Sequence, residues 1–137
     1  MLHILTEQEL SDLKQTLLNM YIDIQQVCQK YGISIMLGGG SALGAMRHKG
    51  FIPWDDDIDI GMLREDFEKF RRLCPKVLPS HLSYQSYTDE PTSHYIFDKV
   101  RLKDTYFSTK FSNRFIDIEN GIFIDILVYD KTANSNF

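Results

Sequence analysis

"LGGGSALGAMRHKGFIPWDDDIDIGM", residues 37–62, concentrates glycine, basic and acidic residues in one short stretch. Three glycines and a serine come first, a basic cluster follows at 47–49, and aspartates occupy four of the five positions 55–59. Carboxylates this close repel one another, and a bound cation removes that repulsion. The stretch therefore predicts a functional site. The competing explanation is an acidic turn that only faces solvent, as most charge runs do.

The aspartates alternate with isoleucines in a strand pattern. Asp57 and Asp59 would share one face, about 7 Å apart at a rise of ~3.3 Å per residue, while Ile58 and Ile60 point into the core. Two carboxylates on a rigid strand suit a hard divalent cation. Asp55 and Asp56 would lie at the strand entrance, further from the cation or in solvent. This alternation weakens the solvated-turn explanation.

The glycines upstream predict a phosphate-binding turn. Glycines let the backbone approach a phosphate, and the N–H groups that open a helix at Ser41 would face it. Gly39, Gly40 and Ser41 are the candidate phosphate ligands, and Arg47 could add positive charge, although a solvated basic residue is as good an explanation. A merely tight turn is the alternative for the glycines.

Three better-known motifs do not fit this stretch. An EF-hand beginning at Asp55 would need glycine at its sixth position, where the chain has Ile60. The glycines are spaced GxGxxxG, so they miss the dinucleotide fingerprint. No GK[ST] triplet is present, which excludes the triphosphate loop.

The remaining patterns predict one α/β domain over residues 1–137, with a mixed β-sheet flanked by helices. A long N-terminal helix spans 6–31, because Thr6 and Glu9 form a capping box and Gly32 suits a left-handed stop. A second helix starts at 64 and ends before Pro75. Strands are expected at 33–37, 57–62 and 121–128, with others within 82–87, 95–105 and 111–118, and a hairpin turn at 119–121.

Composition excludes several classes of protein. The chain has 137 residues, 43% of them hydrophobic, which is enough for one core. Its net charge of −4 argues against nucleic-acid binding. Cys28 and Cys74 form no CxxC pair and are expected to be thiols of a cytoplasmic protein. No apolar run approaches the ~20 residues of a transmembrane segment, and the first ten residues do not form a secretory signal.

Residues 38–62 closely resemble the LicD family of phosphotransferases, which includes fukutin-related proteins and belongs to the nucleotidyltransferase-fold superfamily. "REDFEKF" (64–70) and "GIFIDILVYD" (121–130) also look like the family's continuation. The likeness is strong over 33–70 and looser over 95–130. It implies a nucleotidyltransferase-like fold. Because the family's proteins are longer, it also implies that this domain is the N-terminal part of a longer protein, an expectation that the polar end at 130–137 favours.

The resemblance implies transfer of a phospho-substituted group from a nucleotide-diphosphate donor to a hydroxyl of a glycan or glycolipid, as in lipopolysaccharide or teichoic acid modification. CDP-choline is the best-known donor of bacterial members, and CDP-ribitol that of animal relatives. Asp57 and Asp59 would hold Mg²⁺, with Mn²⁺ as the alternative metal, and Asp125 would be the third acid. Asp125 could bind metal or act as the base, and Asp117, in the similar "FIDIEN", is its rival. The expected location is cytoplasmic, with the inner face of the membrane as an alternative.

Some assignments stay open. Lys99, Arg101 and Lys103 could form a donor-phosphate rail or an ordinary exposed sheet face. Phe51 and Trp54 could stack on a base or serve as packing anchors. A nucleotide-binding module without catalysis and a true nucleotidyltransferase remain the alternative functions.

Overall fold

The computed structural model describes residues 3–86, 88, 96–109 and 120–133. Within these ranges the chain is a mixed α/β fold with a long N-terminal helix, as predicted. The elements in chain order are α1 (Glu7–Tyr31), β1 (Met36–Leu37), α2 (Gly39–His48), β2 (Asp59–Leu63), α3 (Arg64–Val77), β3 (Leu82–Gln85), β4 (Asp98–Leu102) and β5 (Phe123–Tyr129).

These strands form one open sheet in the order β1-β2-β5-β4-β3. The central pair β2–β5 is parallel, and the other three neighbouring pairs are antiparallel. β2 and β5 are therefore adjacent in space although about sixty residues separate them in sequence. Parallel pairing needs such a crossover connection.

Helix α1 begins and ends where the sequence predicts. The Thr6 side chain accepts a hydrogen bond from the Glu9 N–H at 3.2 Å, and the Glu9 carboxylate accepts one from the Thr6 N–H at 2.8 Å. Gly32 closes the helix in the left-handed region, with φ 66°. One face of the helix is buried along its length by Leu13, Leu17, Met20, Ile24, Val27 and Cys28.

One face of the sheet carries the hydrophobic core. Alternate residues of the central strands point into it, as period-two geometry requires. They pack in one cluster with α1 and with Phe67, Phe70 and Cys74 of α3. Both cysteines are buried free thiols, as expected. The sheet residues of the cluster are Ile60, Met62, Leu82, Val100, Ile124 and Ile126, and Ile58, directly before β2, joins them.

Two predicted strands are shorter than the sequence suggests. β1 begins only at Met36, because the Ile33 N–H bonds back to the Cys28 carbonyl at 2.9 Å and so belongs to the end of α1. β2 begins at Asp59, so the placement of Asp57 within a strand is wrong by two residues. The ladder to β5 starts only at the Asp59 register, and a single 3.3 Å bond from the Asp125 N–H to the Ile58 carbonyl ties the residues before it.

Helix α3 passes through Pro75, which corrects the predicted end before this residue. Proline removes one backbone N–H bond and crowds the preceding turn. The cost is confined to the last turn, because α3 ends two residues later and the Leu78 N–H still bonds to the Cys74 carbonyl at 3.1 Å. Burial of Phe70 and Cys74, one turn apart on the same face directly before Pro75, holds the helix in place.

Other predictions are confirmed in part. β3 and β4 lie inside the predicted ranges 82–87 and 95–105. The strand predicted at 111–118, Asp117 within it and the first residue of the hairpin turn at 119–121 lie outside the described residues. Among the described helices, none has an apolar stretch of the length a bilayer crossing requires.

The core predicts the effect of truncating β2. Ile60 is fully buried on the face of β2 that packs against the helices. We expect Ile60→Ala to lower the free energy of unfolding by about 2–5 kcal/mol, through lost burial and the cavity left behind. Leu63→Ala, on the same strand but 53% exposed, is the control and should change it by well under 1 kcal/mol. Urea unfolding monitored by circular dichroism measures both, and equal losses would show that the β2 register is wrong.

Candidate active site

A row of polar side chains crosses the sheet on the face opposite the core. Asp59 of β2 lies directly opposite Asp125 of β5, and Asp125 lies opposite Lys99 of β4. Lys99 in turn lies opposite Gln85 of β3. Because residues in register project from the same face, the sheet places an acid, an acid, a base and an amide side by side. Asp59 and Asp125, far apart in sequence, are neighbours here.

Five carboxylates at the start of β2 contribute to the raised pKa values there: Asp55, Asp56, Asp57, Asp59 and Asp125. Burial, together with the charges of Asp57 and Asp125, raises the pKa of Asp59 to about 6, with a smaller contribution from Asp55. Burial also raises the pKa of Asp57, and the neighbouring carboxylates, that of Asp125 included, add to the effect. Asp57 is therefore electrostatically part of the cluster although it precedes the strand. The region repels further negative charge and attracts cations.

Lys99 partly compensates this repulsion. Its ammonium donates to the Asp125 carboxylate in a buried ion pair and lies 4.1 Å from the centre of the Phe123 ring. Burial lowers the pKa of Lys99, and the charge of Asp125 opposes that change. The ammonium also opposes the rise in the pKa of Asp59. Lys99 thus fixes one side of Asp125 and leaves the other side toward β2.

The N-terminus of α2 lies on top of the acidic cluster. The Gly38 N–H donates to the Asp59 carbonyl at 2.9 Å, and the Ser41 hydroxyl accepts from the Asp59 N–H at 3.0 Å. A Cβ on Gly39 would lie 2.8 Å from a carboxylate oxygen of Asp59, and one on Gly40 would lie 2.9 Å from a carboxylate oxygen of Asp55. A side chain at either position would push one of these carboxylates aside, and Gly39 also has φ +48°, a conformation that favours glycine.

The predicted phosphate ligands do not all come together. The acidic cluster is contacted by Gly39, Gly40 and Ser41. Arg47 is exposed in the last turn of α2, about 9 Å from Ser41 along the helix axis at 1.5 Å per residue. Arg101 is buried rather than exposed. It donates to the Gln85 side chain and to the Gly121 carbonyl, both at 2.7 Å.

The alternative of an ordinary exposed sheet face for the basic residues of β4 is wrong. Lys99 and Arg101 are 4% and 1% exposed, and Lys103 lies beyond the end of the strand. Their alternation in sequence predicted a shared face, but sequence alone could not show what covers it. Binding of donor phosphate by Lys99 or Arg101 stays a prediction, and it requires each of them to engage phosphate beside its present partner.

Two features go beyond what the sequence predicted. Asp55, predicted only at the strand entrance or as an additional metal ligand, has its carboxylate against the N-terminus of α2; the alternation Asp55-x-Asp57-x-Asp59 was the available signal. On the core side of β4, Asp98 is completely buried and accepts a hydrogen bond from the Tyr84 hydroxyl, with the Arg71 guanidinium 3.6 Å away. That network joins α3, β3 and β4, and the buried aspartate directly before Lys99 carried no signal of its role.

The described residues contain no three carboxylate, histidine or cysteine side chains close enough together to form a preassembled metal site. The chemistry of the cluster nevertheless fits a hard cation, because its ligands would be carboxylate oxygens. The raised pKa values of Asp57 and Asp59 are the second sign. Burial is their main cause, repulsion between the carboxylates adds to it, and a cation would relieve that repulsion. A metal would therefore need small movements of these side chains.

Comparison with known proteins points to one family. The model of the LicD/FKTN/FKRP nucleotidyltransferase domain matches residues 32–136. The lipopolysaccharide cholinephosphotransferase LicD of Haemophilus influenzae is 33% identical over 118 residues, which are 85% of this chain and 43% of that protein. The human ribitol 5-phosphate transferase FKRP is 50% identical over 47 residues, 34% of this chain and 10% of that protein. The chain spans less than half the length of these relatives.

The raised pKa of Asp59 predicts that the protein loses stability as the pH rises in metal-free buffer. Because the pKa of Asp59 is about 6 in the folded protein and near 3.8 in an unfolded chain, the protonated carboxyl favours the fold. That stabilisation is complete below pH ~4 and is lost as the pH rises through ~6. Asp59→Asn should remove this loss. It should raise the free energy of unfolding at pH 7.5 by up to about 3 kcal/mol, and by less where solvent screens this partly exposed carboxyl group.

Urea unfolding in EDTA at pH 4 and at pH 7.5 measures this effect. Asp12→Asn, an exposed aspartate of α1, is the control and should keep the wild-type pH dependence. If the wild type loses no stability relative to Asp59→Asn between pH 4 and pH 7.5, the assignment is wrong.

Proposed function

This chain belongs to the family of LicD, FKTN and FKRP nucleotidyltransferase domains, and we propose that it transfers a phospho-substituted group from a nucleotide-diphosphate donor to a hydroxyl of a glycan. The observation that carries the proposal is the in-register pair Asp59–Asp125 beneath the N-terminus of α2. Paired carboxylates next to exposed backbone N–H groups suit a diphosphate bound together with a cation.

Mg²⁺ is the proposed cofactor, with Mn²⁺ as the alternative. Asp57 and Asp59 would hold it, with Asp125 as a third ligand if Asp125 does not act as the base. All three are partly buried, and the charge of Asp125 raises the pKa of both other carboxyl groups. When bound, such a cation neutralises charge on the transferred phosphorus and on the departing nucleotide phosphate. It would also relieve the repulsion among the carboxylates, which couples metal binding to the stability of the site.

The N-terminal turn of α2 is the proposed holder of the donor phosphates. No side chain caps this end of the helix, so its first N–H groups are available to an anion. Gly39 and Gly40 keep the backbone uncovered at this point. The Ser41 hydroxyl already accepts from the Asp59 N–H, and its own hydrogen can be donated to a phosphate oxygen.

Asp125 is the proposed acceptor of the proton from the glycan hydroxyl. A sugar hydroxyl is a weak nucleophile at neutral pH until its proton begins to leave. Lys99 holds one side of the carboxylate, which orients it toward β2 and keeps a positive charge beside it. Asp55, whose carboxylate lies near the helix, could then complete the metal's coordination in place of Asp125. The alternative role of Asp125 is that of a metal ligand.

CDP-choline is the proposed donor, because a relative that matches 85% of this chain is named a lipopolysaccharide cholinephosphotransferase. The shorter match to a ribitol 5-phosphate transferase makes a CDP-alcohol of another kind the second candidate. A binding module would bind the same donor without turnover. A true nucleotidyltransferase would instead attach the nucleotide to the acceptor. Mass spectrometry of the acceptor after incubation separates the three outcomes.

The metal assignment predicts the behaviour of Asp57→Asn. Calorimetric titration of CDP-choline should show binding that requires Mg²⁺ in the wild type, and the substitution should remove that requirement together with most of the affinity. The physical reason is that one anionic oxygen ligand is lost while the fold is relieved of repulsion. Asp12→Asn changes the net charge equally and should bind as the wild type does. An Asp57→Asn protein with unchanged Mg²⁺ dependence would refute the site.

Asp125→Asn separates the base from the ligand role. If Asp125 is the base, donor affinity and Mg²⁺ affinity should stay within a few-fold of wild type, while transfer falls by about 10²–10⁴. If it is mainly a ligand, both affinities fall together with the rate. Donor affinity measured as a function of Mg²⁺ concentration decides, and a large loss of affinity excludes a base that does not also bind metal.

A further inference from the structure

Three exposed apolar side chains lie around the C-terminal end of α2 and the loop that follows it. Leu43, Met46 and Trp54 are 48%, 78% and 72% exposed. The first two are three residues apart on α2 and so project from one side of the helix. The Trp54 ring meets the His48 ring edge-on, with centroids 6.3 Å apart, which brings the tryptophan to the same end of the helix. We call the surface formed by Leu43, Trp54 and residues 46–49 the α2 patch.

The α2 patch is basic in an otherwise acidic protein. Arg47, His48 and Lys49 are consecutive and exposed, and no aspartate or glutamate occurs between 43 and 54, whereas the whole chain carries a net charge of −4. Within the part of the chain that the structure describes, none of the three forms an ion pair. The next acid, Asp55, lies against Gly40 at the other end of the helix.

The exposure of Trp54 is built into the loop rather than a result of looseness. The Lys14 ammonium of α1 donates to the Pro53 carbonyl at 2.7 Å and lies 5.7 Å from the centre of the Phe51 ring. The Asp55 N–H closes a turn on the Ile52 carbonyl at 3.0 Å, and the Ile52 side chain is buried. A loop anchored on both sides of Trp54 presents the indole to its surroundings.

We propose that the α2 patch binds the surface of an anionic lipid bilayer. Tryptophan with neighbouring apolar side chains is favoured at the level of the lipid headgroups, and adjacent basic residues are attracted to anionic lipid. A soluble anionic partner would use the three basic residues but would leave Met46 and Trp54 in water. The inference does not depend on the donor proposed above, and it would place the acidic cluster close to acceptors carried by lipid.

Trp54 is the only tryptophan of the chain and reports on this surface directly. Its emission should shift to shorter wavelength with vesicles made of equal parts phosphatidylglycerol and phosphatidylcholine, and brominated lipid should quench it. Vesicles of phosphatidylcholine alone should have little effect. Salt at about 1 M, where the screening length is ~3 Å, should weaken binding. No shift with anionic vesicles, or an equal shift with neutral ones, would overturn the proposal.

A paired substitution tests the patch while keeping the reporter. Met46→Ser combined with Lys49→Gln should weaken partitioning by at least five-fold, about the share of one basic residue near an anionic surface. Leu63→Ser combined with Lys76→Gln removes one exposed apolar and one exposed basic side chain elsewhere and should partition as the wild type does. Thermal melting confirms that both proteins are folded.

Two results of this comparison would count against lipid binding. Equal losses in the two double variants would show that general charge and hydrophobicity, and not the α2 patch, drive association. A Trp54 emission that responds to CDP-choline or inorganic phosphate but not to vesicles would assign the patch to the donor site and refute the proposal.

Discussion

The register between β2 and β5 is the constraint on which the site depends. Parallel pairing aligns Asp59 with Asp125, and the same alignment places Ile60 beside Ile126 in the core. Because side chains alternate, a slip of one residue would turn the acids into the hydrophobic core and the isoleucines outward. The free energy that keeps the isoleucines buried therefore also keeps the two carboxylates adjacent. Repulsion between the acids cannot separate them without unpairing the centre of the sheet.

The compensation within the protein is incomplete. A helix N-terminus near a carboxylate is worth about 0.3–1 kcal/mol, up to ~2 in partly buried geometry. The raised pKa of Asp59 remains after α2, Lys99 and the backbone have made their contributions. It corresponds to up to about 3 kcal/mol of unfavourable free energy at neutral pH, reduced by solvent screening. A rigid sheet can hold such a group because burial of the core outweighs the destabilisation it causes. A bound cation would remove this destabilisation, and the free energy gained would add to the affinity for the cation. Strain of this kind at one face is typical of functional sites rather than of structural ones.

The sequence predicted local features better than long-range ones. The capping box and Gly32 define α1 from neighbouring residues alone, and the Asp-Ile alternation correctly assigns the two faces of β2. The start of β2 depends on where β5 begins to pair, sixty residues away, so Asp57 was placed in a strand that starts after it. The burial of Lys99 depends on tertiary contacts that no pattern of alternation reveals. Pro75 shows the reverse case, in which the burial of Phe70 and Cys74 against the core overrides a local helix-breaking signal.

Helix α2 separates two groups of opposite charge that are adjacent in sequence. Nine residue steps from Gly39 to His48 correspond to about 14 Å, longer than the ~8–10 Å over which charges act through physiological salt. Arg47 and His48 therefore do little to neutralise Asp59, and the simple explanation that the basic cluster balances the acidic one fails. Both groups instead suit the helix dipole, with acids at its positive N-terminus and basic residues at its negative C-terminus. The charges at both ends therefore favour the orientation of α2. Because the two groups do not neutralise each other, the acids can still bind a cation and the basic residues can still bind an anionic surface.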